Sequence, residues 1–203
     1  MTYADPYIDP RTGIFYNKLG ICNNEALSKA EFILSYQRAA QLEIHPVPGN
    51  FDMAHLRAIH KMLFQDVYPW AGELRTVEIS KGQTQFCYVQ MLEYGMNDIH
   101  KRLEKDNYLR NLGEIPFIEK SADFFGDVNA LHPFREGNGR AIRIFIRQLA
   151  KQAGYDLNLK TLAQDPDVWN YASALTTFRK MDAMNYLFET AIHTIPTPAS
   201  QKQ

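Results

Sequence analysis

His132-Pro133-Phe134-Arg135-Glu136-Gly137-Asn138-Gly139-Arg140, with Arg143 three residues on, sets a proton acceptor, a carboxylate, two glycines and two guanidinium groups where a helix begins. Ile142, Phe145, Ile146, Leu149 and Ala153 then recur at helical spacing, and Gly154 stands where a left-handed cap belongs. The spacing predicts a helix from about Asn138 to Ala153. Its first-turn N–H groups have no intrahelical partner, and the positive end of its dipole favours an anion there. Gly137 and Gly139 carry no Cβ, so a ligand can approach the main chain closely. The turn is built to cradle phosphate.

Arg140, Arg143 and Arg147 share one face of that helix, opposite the apolar stripe. A cation at a helix N-terminus opposes the dipole by about 0.3–1 kcal/mol, so Arg140 there implies an anionic partner that offsets the cost. A triphosphate is such a partner, and the planar fork of Arg binds its oxygens in pairs. Glu136 and phosphate are both negative, so Glu136 serves best through a Mg²⁺ that bridges phosphate oxygens. His132, four residues earlier, is placed to take a proton from an attacking hydroxyl. Taken singly, a glycine-rich turn is usually only a turn and an Arg-rich face only a solvated surface. It is their conjunction that points to a site. Phe134, an aromatic between polar residues, is read as an anchor packing the loop onto the core.

These residues resemble the signature of the Fic proteins, His-x-Phe-x-(Asp/Glu)-Gly-Asn-Gly-Arg-x-x-Arg. The chain matches every fixed position, from His132, Phe134, Glu136, Gly137, Asn138, Gly139 and Arg140 to Arg143. Beyond the motif, Tyr7 to Gly20 is similar to the family's N-terminal extended segment, Trp70-Ala71-Gly72 with Arg75 to its bend, and Lys81-Gly82-Gln83-Thr84-Gln85-Phe86 to its flap hairpin. The likeness covers roughly Tyr7 to Ile192.

The resemblance implies AMP transfer from ATP to a Tyr, Thr or Ser hydroxyl of a target protein. His132 would then be the catalytic base and Glu136 the Mg²⁺ ligand. Backbone N–H groups around Gly137, Asn138 and Gly139, with the Asn138 side chain, would stabilise phosphate charge, and Arg140 and Arg143 would grip the β- and γ-phosphates. The flap, Ser80, Lys81, Gly82, Gln83, Thr84, Gln85 and Phe86, would register the target through main-chain bonds at its strand edge. Some relatives bind the nucleotide reversed and transfer phosphate; that type has Lys where this chain has Gly139, so Gly-Asn-Gly favours AMP transfer. A regulator that binds nucleotide without turnover is the alternative from another function class.

Many Fic proteins are held off by a helix with the pattern (Ser/Thr)-x-x-x-Glu-(Gly/Asn), whose Glu pairs with the second motif arginine. No Glu in this chain has Ser or Thr four residues before it. The resemblance therefore implies a separate small antitoxin supplying that Glu against Arg143, as in short bacterial Fic toxins that act on DNA gyrase B and the matching topoisomerase IV subunit. A host-cell GTPase is the competing target for a delivered effector.

Twenty-two Lys and Arg against 23 Asp and Glu leave a net charge of −1, so no global field draws the chain to nucleic acid or to an anionic membrane. No run of about 18 apolar residues is present, and the polar start Met1-Thr2-Tyr3-Ala4-Asp5 is unlike a signal peptide, so a cytoplasmic protein is expected. Cys22 and Cys87 form no metal or redox spacing. His45, His55, His60, His100 and His193 offer no metal set and are read as structural or surface residues.

Along the chain, helices are expected from Asn23-Asn24 to about Gln41, after Asp52 to before Pro69, and over 91–105, 116–131, 138–153, 167–178 and 182–192. Thr76 to Ser80 and Thr84 to Tyr88 favour strand and are joined by Lys81-Gly82-Gln83, which predicts a hairpin over about 76–88. The fold expected is an all-α bundle carrying one small β-hairpin flap, a single domain over 1–194, followed by a disordered tail at 195–203.

Overall fold

Eight helices follow one another in the computed structural model, which describes residues 5–82, 84–162 and 164–195. They are α1 (Asn24–Ile44), α2 (Met53–Phe64), α3 (Leu92–Lys105), α4 (Glu114–Leu131), α5 (Asn138–Ala153), α6 (Leu159–Leu162), α7 (Pro166–Thr176) and α8 (Asp182–Ala191). Side-chain caps set several of their starts. Asn23 accepts the Ala26 N–H at 2.9 Å, Asp52 the His55 N–H at 2.8 Å, and Asp165 those of Asp167 and Val168 at 3.0 and 3.1 Å. Gly154, at φ 96°, ends α5 as its cap.

The α4–α5 pair forms the centre. Apolar positions dominate α4, which buries Phe117, Ile118, Phe124, Phe125, Val128 and Leu131. The stripe of α5 buries Ile142, Phe145, Ile146 and Leu149. Removing each such side chain from water contributes about 1.5–3 kcal/mol. Helix α5 packs on α2 and α4, α1 covers α2, and α3, α7 and α8 lie against α4. The loop between α4 and α5, residues 132–137, therefore opens at one end of the packed core. No helix among the described residues is long and apolar enough to cross a membrane.

The structure corrects the expected outline in three places. The hairpin is shorter than 76–88: β3 (Ser80–Lys81) pairs antiparallel with β4 (Thr84–Gln85), Ser80 opposite Gln85 and Lys81 opposite Thr84. Beyond one long bond from the Phe86 N–H to the Ile79 carbonyl at 3.4 Å, the backbone groups of the flanks are engaged elsewhere. Val77 and Cys87 carbonyls accept from the Arg75 guanidinium, and the Cys87 N–H donates to the Ala130 carbonyl at 3.0 Å.

Two further antiparallel pairs also appear. In one, β1 (Ile8–Asp9) pairs with β2 (Ile14–Phe15) inside the expected N-terminal segment. In the other, β5 (Tyr155–Leu157) pairs with β6 (Ile192–Thr194), so the last helix stops at Ala191 where the chain turns into that strand. Finally, α1 runs on to Ile44, past the expected end near Gln41, and it buries Glu31 and Ser35 while Phe32 and Ile33 stay exposed, because its inner face meets Arg140. Gln83 and the tail from 196 lie outside the described residues.

Candidate active site

His132 caps the C-terminus of α4 in a left-handed conformation (φ 47°, ψ 59°), uncommon for a residue with a side chain, which turns the chain into the glycine loop. Neighbours hold that turn. Arg75, only 1% exposed, donates from Nε to the His132 carbonyl at 2.9 Å and from Nη2 to those of Leu131 and Cys87. The Arg75 backbone N–H donates to the Pro133 carbonyl at 2.9 Å. One buried guanidinium thus ties the flap's base to the end of α4. Burial lowers its pKa, with Glu78 as the main opposing influence.

The ring of His132 stacks on Phe86 with centroids 3.8 Å apart. Nδ1 lies 3.3 Å from the Asn129 carbonyl, which can only accept, so Nδ1 carries the proton and Nε2 keeps its lone pair. Burial, seconded by the charges of Arg75 and Lys81 against the opposing Asn129 bond, lowers its pKa from 6.5 to about 4. The imidazole is neutral at physiological pH and fit to act as a base.

Phe134 is fully buried, as its reading as an anchor requires, and stacks on His60 at 3.8 Å. His60 accepts the Gly72 N–H at Nδ1 and donates from Nε2 to the Glu136 carbonyl, both at 2.9 Å. The structural histidine expected at position 60 is therefore the backstop of the loop. Asn138 departs from expectation. Its side chain turns inward, accepting the Phe134 N–H at 2.9 Å and donating to the Phe134 carbonyl at 2.8 Å, so it shapes the loop instead of reaching out to a phosphate. Its backbone N–H still belongs to the first turn of α5.

Gly137 sits at φ 78°, and a Cβ there would lie 2.4 Å from the Phe64 ring, so only glycine fits. At Gly139 a Cβ would meet only Arg143 Nη1, at 3.8 Å, which leaves space above the helix N-terminus. Glu136 is exposed, and its carboxylate accepts the Gly137 N–H at 2.8 Å.

The arginines of α5 divide. Arg140 donates to Glu31 and to Ser35 Oγ on α1, and Arg147 pairs with Glu43. Arg143 lies over the Trp169 ring at 5.0 Å and has no carboxylate partner among the described residues. Burial, with the like charge of Arg140, lowers its pKa to about 10, and it stays charged at neutral pH.

Two clefts meet at His132. The inner one, of about 400 Å³, lies over Gly137, Asn138, Gly139 and Arg143 and is closed by Trp169, Asn170 and Ser173 of α7. The outer one, of about 1000 Å³, runs past Asp5, Thr76, Ile79 and Arg135. His132, Glu136, Lys81 and Phe86 line both. Within the flap, Ser80 faces the outer cleft, Gly82 and Thr84 the inner one, and Gln85 braces the hairpin by donating to the Ile79 carbonyl at 3.2 Å. The flap is the partition between the clefts.

Sequence reasoning did not single out the α7 wall or Glu31, Ser35 and Tyr68. Nothing in the local pattern of a helix marks which distant cleft it faces.

A neutral imidazole beside a glycine-rich helix start, on the border of two clefts, is an arrangement suited to group transfer. A family model described as the Fic/DOC family matches residues 50–150. The "Probable protein adenylyltransferase Fic" of Salmonella typhimurium is 37% identical over 188 residues, covering 93% of this chain and 92% of that protein. Its counterpart in Escherichia coli is 36% identical with the same coverage. "Protein adenylyltransferase VbhT" of Bartonella schoenbuchensis is 43% identical over 154 residues; these are 76% of this chain and 32% of VbhT, so the chain spans about a third of that relative. Among solved structures, BepC of Bartonella tribocorum with bound AMPPNP superposes with a TM-score of 0.85 at 26% identity, covering 94% of this chain and 97% of that one. The chain belongs to the Fic/DOC family. It is an enzyme of the protein adenylyltransferase type, the name its near-full-length relatives carry.

Proposed function

We propose that this chain binds ATP in the inner cleft and transfers AMP to a Tyr, Thr or Ser hydroxyl presented through the outer one. The observation that carries the reading is the place of His132 on the border of both clefts, with its Nδ1 against the Asn129 carbonyl. Nε2 takes the proton of the acceptor hydroxyl, whose oxygen forms a bond to the α-phosphorus as the bond to the pyrophosphate oxygen breaks. The N–H groups at Gly137, Asn138 and Gly139 and the charge of Arg143 stabilise the phosphates in a partly enclosed site, where such interactions are strengthened. The flap edge, Ser80 to Phe86, registers the acceptor segment.

Among the described residues no cluster of three or more His, Cys, Asp or Glu forms a metal cage. A single hard carboxylate fits a Mg²⁺ brought in with a nucleotide, and Glu136, whose carboxylate accepts the Gly137 N–H, is the residue that would hold it. When bound it supplies charge neutralisation on the departing pyrophosphate.

Arg143, without a carboxylate partner among the described residues, is the point at which a small antitoxin would act, by laying a Glu against it. The biological setting that accords with this is a toxin–antitoxin pair directed at DNA gyrase B and topoisomerase IV subunits. The decisive experiment compares ATP labelled at the α- and γ-phosphates, with Mg²⁺, bacterial lysate and wild-type or His132→Ala protein. Protein label from α alone, lost in the variant, is expected. Label from γ alone would replace the reading with a kinase-like reaction, and nucleotide binding without label from either would replace it with a regulator.

A further inference from the structure

Arg140 does not hang freely at the start of α5. Nη1 donates to Ser35 Oγ at 3.0 Å and Nη2 donates to one carboxylate oxygen of Glu31, while the other oxygen of Glu31 accepts the Tyr68 hydroxyl. Tyr68 is stacked on Trp70 with centroids 4.2 Å apart, and the Phe64 ring covers one face of the guanidinium at 4.6 Å. Three elements of structure thus converge around one side chain: α1 through Glu31 and Ser35, the end of α2 through Phe64, and the bend at 68–70 through Tyr68 on Glu31.

The arrangement has a cost that needs a purpose. Glu31 is only 9% exposed and Ser35 only 2%, on a helix face where an apolar pair would pack without desolvation. A cation at the N-terminus of α5 also opposes the helix dipole. The pair offsets both by mutual charge and hydrogen bonding, and Arg140, so held, still lines the inner cleft.

We propose that Glu31 is a positioning residue, which with Ser35 and Tyr68 fixes the plane of the Arg140 guanidinium so that it meets the nucleotide phosphates without reorganising. This rests on the reading of the α5 N-terminus as the phosphate site. A fixed fork loses less entropy on binding than a free one, and its geometry is set before the ligand arrives.

The test is ATP affinity with Mg²⁺, measured by calorimetry, so that it reads out whether or not AMP is transferred. Glu31→Ala is expected to weaken ATP binding by about tenfold, the loss of one charge-assisted contact, and to raise KM far more than it lowers kcat. Glu31→Asp restores part of the loss. In an Arg140→Ala background Glu31→Ala adds nothing further, because its effect runs through that arginine. Should Glu31→Ala fold poorly, Glu31→Gln, nearly the same shape, gives the same comparison. Unchanged affinity in the folded variants, tighter binding, or additive losses in the double variant would overturn the proposal; tighter binding would make Glu31 a brake. Wild-type protein that fails to bind ATP would overturn the phosphate-site reading and this inference with it.

Discussion

The two walls beside His132 are built on opposite principles. The loop from 132 to 137 is fastened from behind at nearly every residue. Arg75 takes its carbonyls at Leu131 and His132, His60 that at Glu136, and Asn138 both backbone groups of Phe134. The flap, among the described residues, is fastened at its base, and its paired strands are two residues each, with Ser80, Lys81 and Gln85 exposed. Chemistry needs a base and an anion nest held to a fraction of an ångström, whereas a surface that accepts another protein's backbone needs an open edge. One buried guanidinium, Arg75, joins the two.

The sharpest break in the comparison comes at the base itself. His132→Ala is expected to lower the AMP-transfer rate by about 10²–10⁴-fold while ATP affinity, measured by calorimetry, stays within a few-fold. Equal loss of both would mean that His132 shapes the pocket instead of moving a proton. Next in size is Arg75→Ala, which strips a buried charged donor from the carbonyls of Val77, Cys87, Leu131 and His132 at once. A loss of about 3–5 kcal/mol in denaturant unfolding is expected. Arg75→Lys recovers little, since one ammonium cannot span a planar fork's partners.

A matched pair of glycines then sharpens the contrast. Gly137 and Gly82 both have positive φ, 78° and 59°. Gly137→Ala adds a collision with Phe64 to the backbone strain and should cost about 2–4 kcal/mol, whereas a Cβ at Gly82 meets nothing within 4 Å and should cost about 1 kcal/mol. Similar costs at both positions would remove the distinction between a fastened and an open wall.

The last contrast, silent at neutrality, is in pH. His60 and His132, both depressed from 6.5 to about 4, take up protons in the unfolded chain before the folded one, so stability falls as pH drops through that window. Above 6.5 neither contributes a slope. The acid limb of kcat/KM should accordingly lie near pH 4, well below that of an ordinary histidine; a limb near 6.5 would place His132 in water.

Much of this architecture was legible in short windows of sequence. The stripe from Ile142 to Leu149 with Gly154 behind it defines α5 to the residue, and Asn23 and Asp52 mark their helix starts, because caps and periodicity are local. The glycine turn, its His and its arginines announce an anion site for the same reason. The flap's true length was not legible, since Thr76 to Ser80 and Thr84 to Tyr88 both favour strand, and it is Arg75 and Ala130, distant in sequence from one another, that take the outer backbone groups.

The sequence by itself determined where α5 begins and ends, and that the candidate His, Glu, Gly and Arg groups gather at its leading turn. Tertiary structure alone decided how those groups are divided: Asn138 turned inward to the loop, Arg140 bound to Glu31, Arg143 left open to the cleft. The physical reason is distance along the chain. Glu31 and Arg140 stand 109 residues apart, and a contact of that kind is set by how α1, α2 and α5 pack, which no local pattern of either helix records.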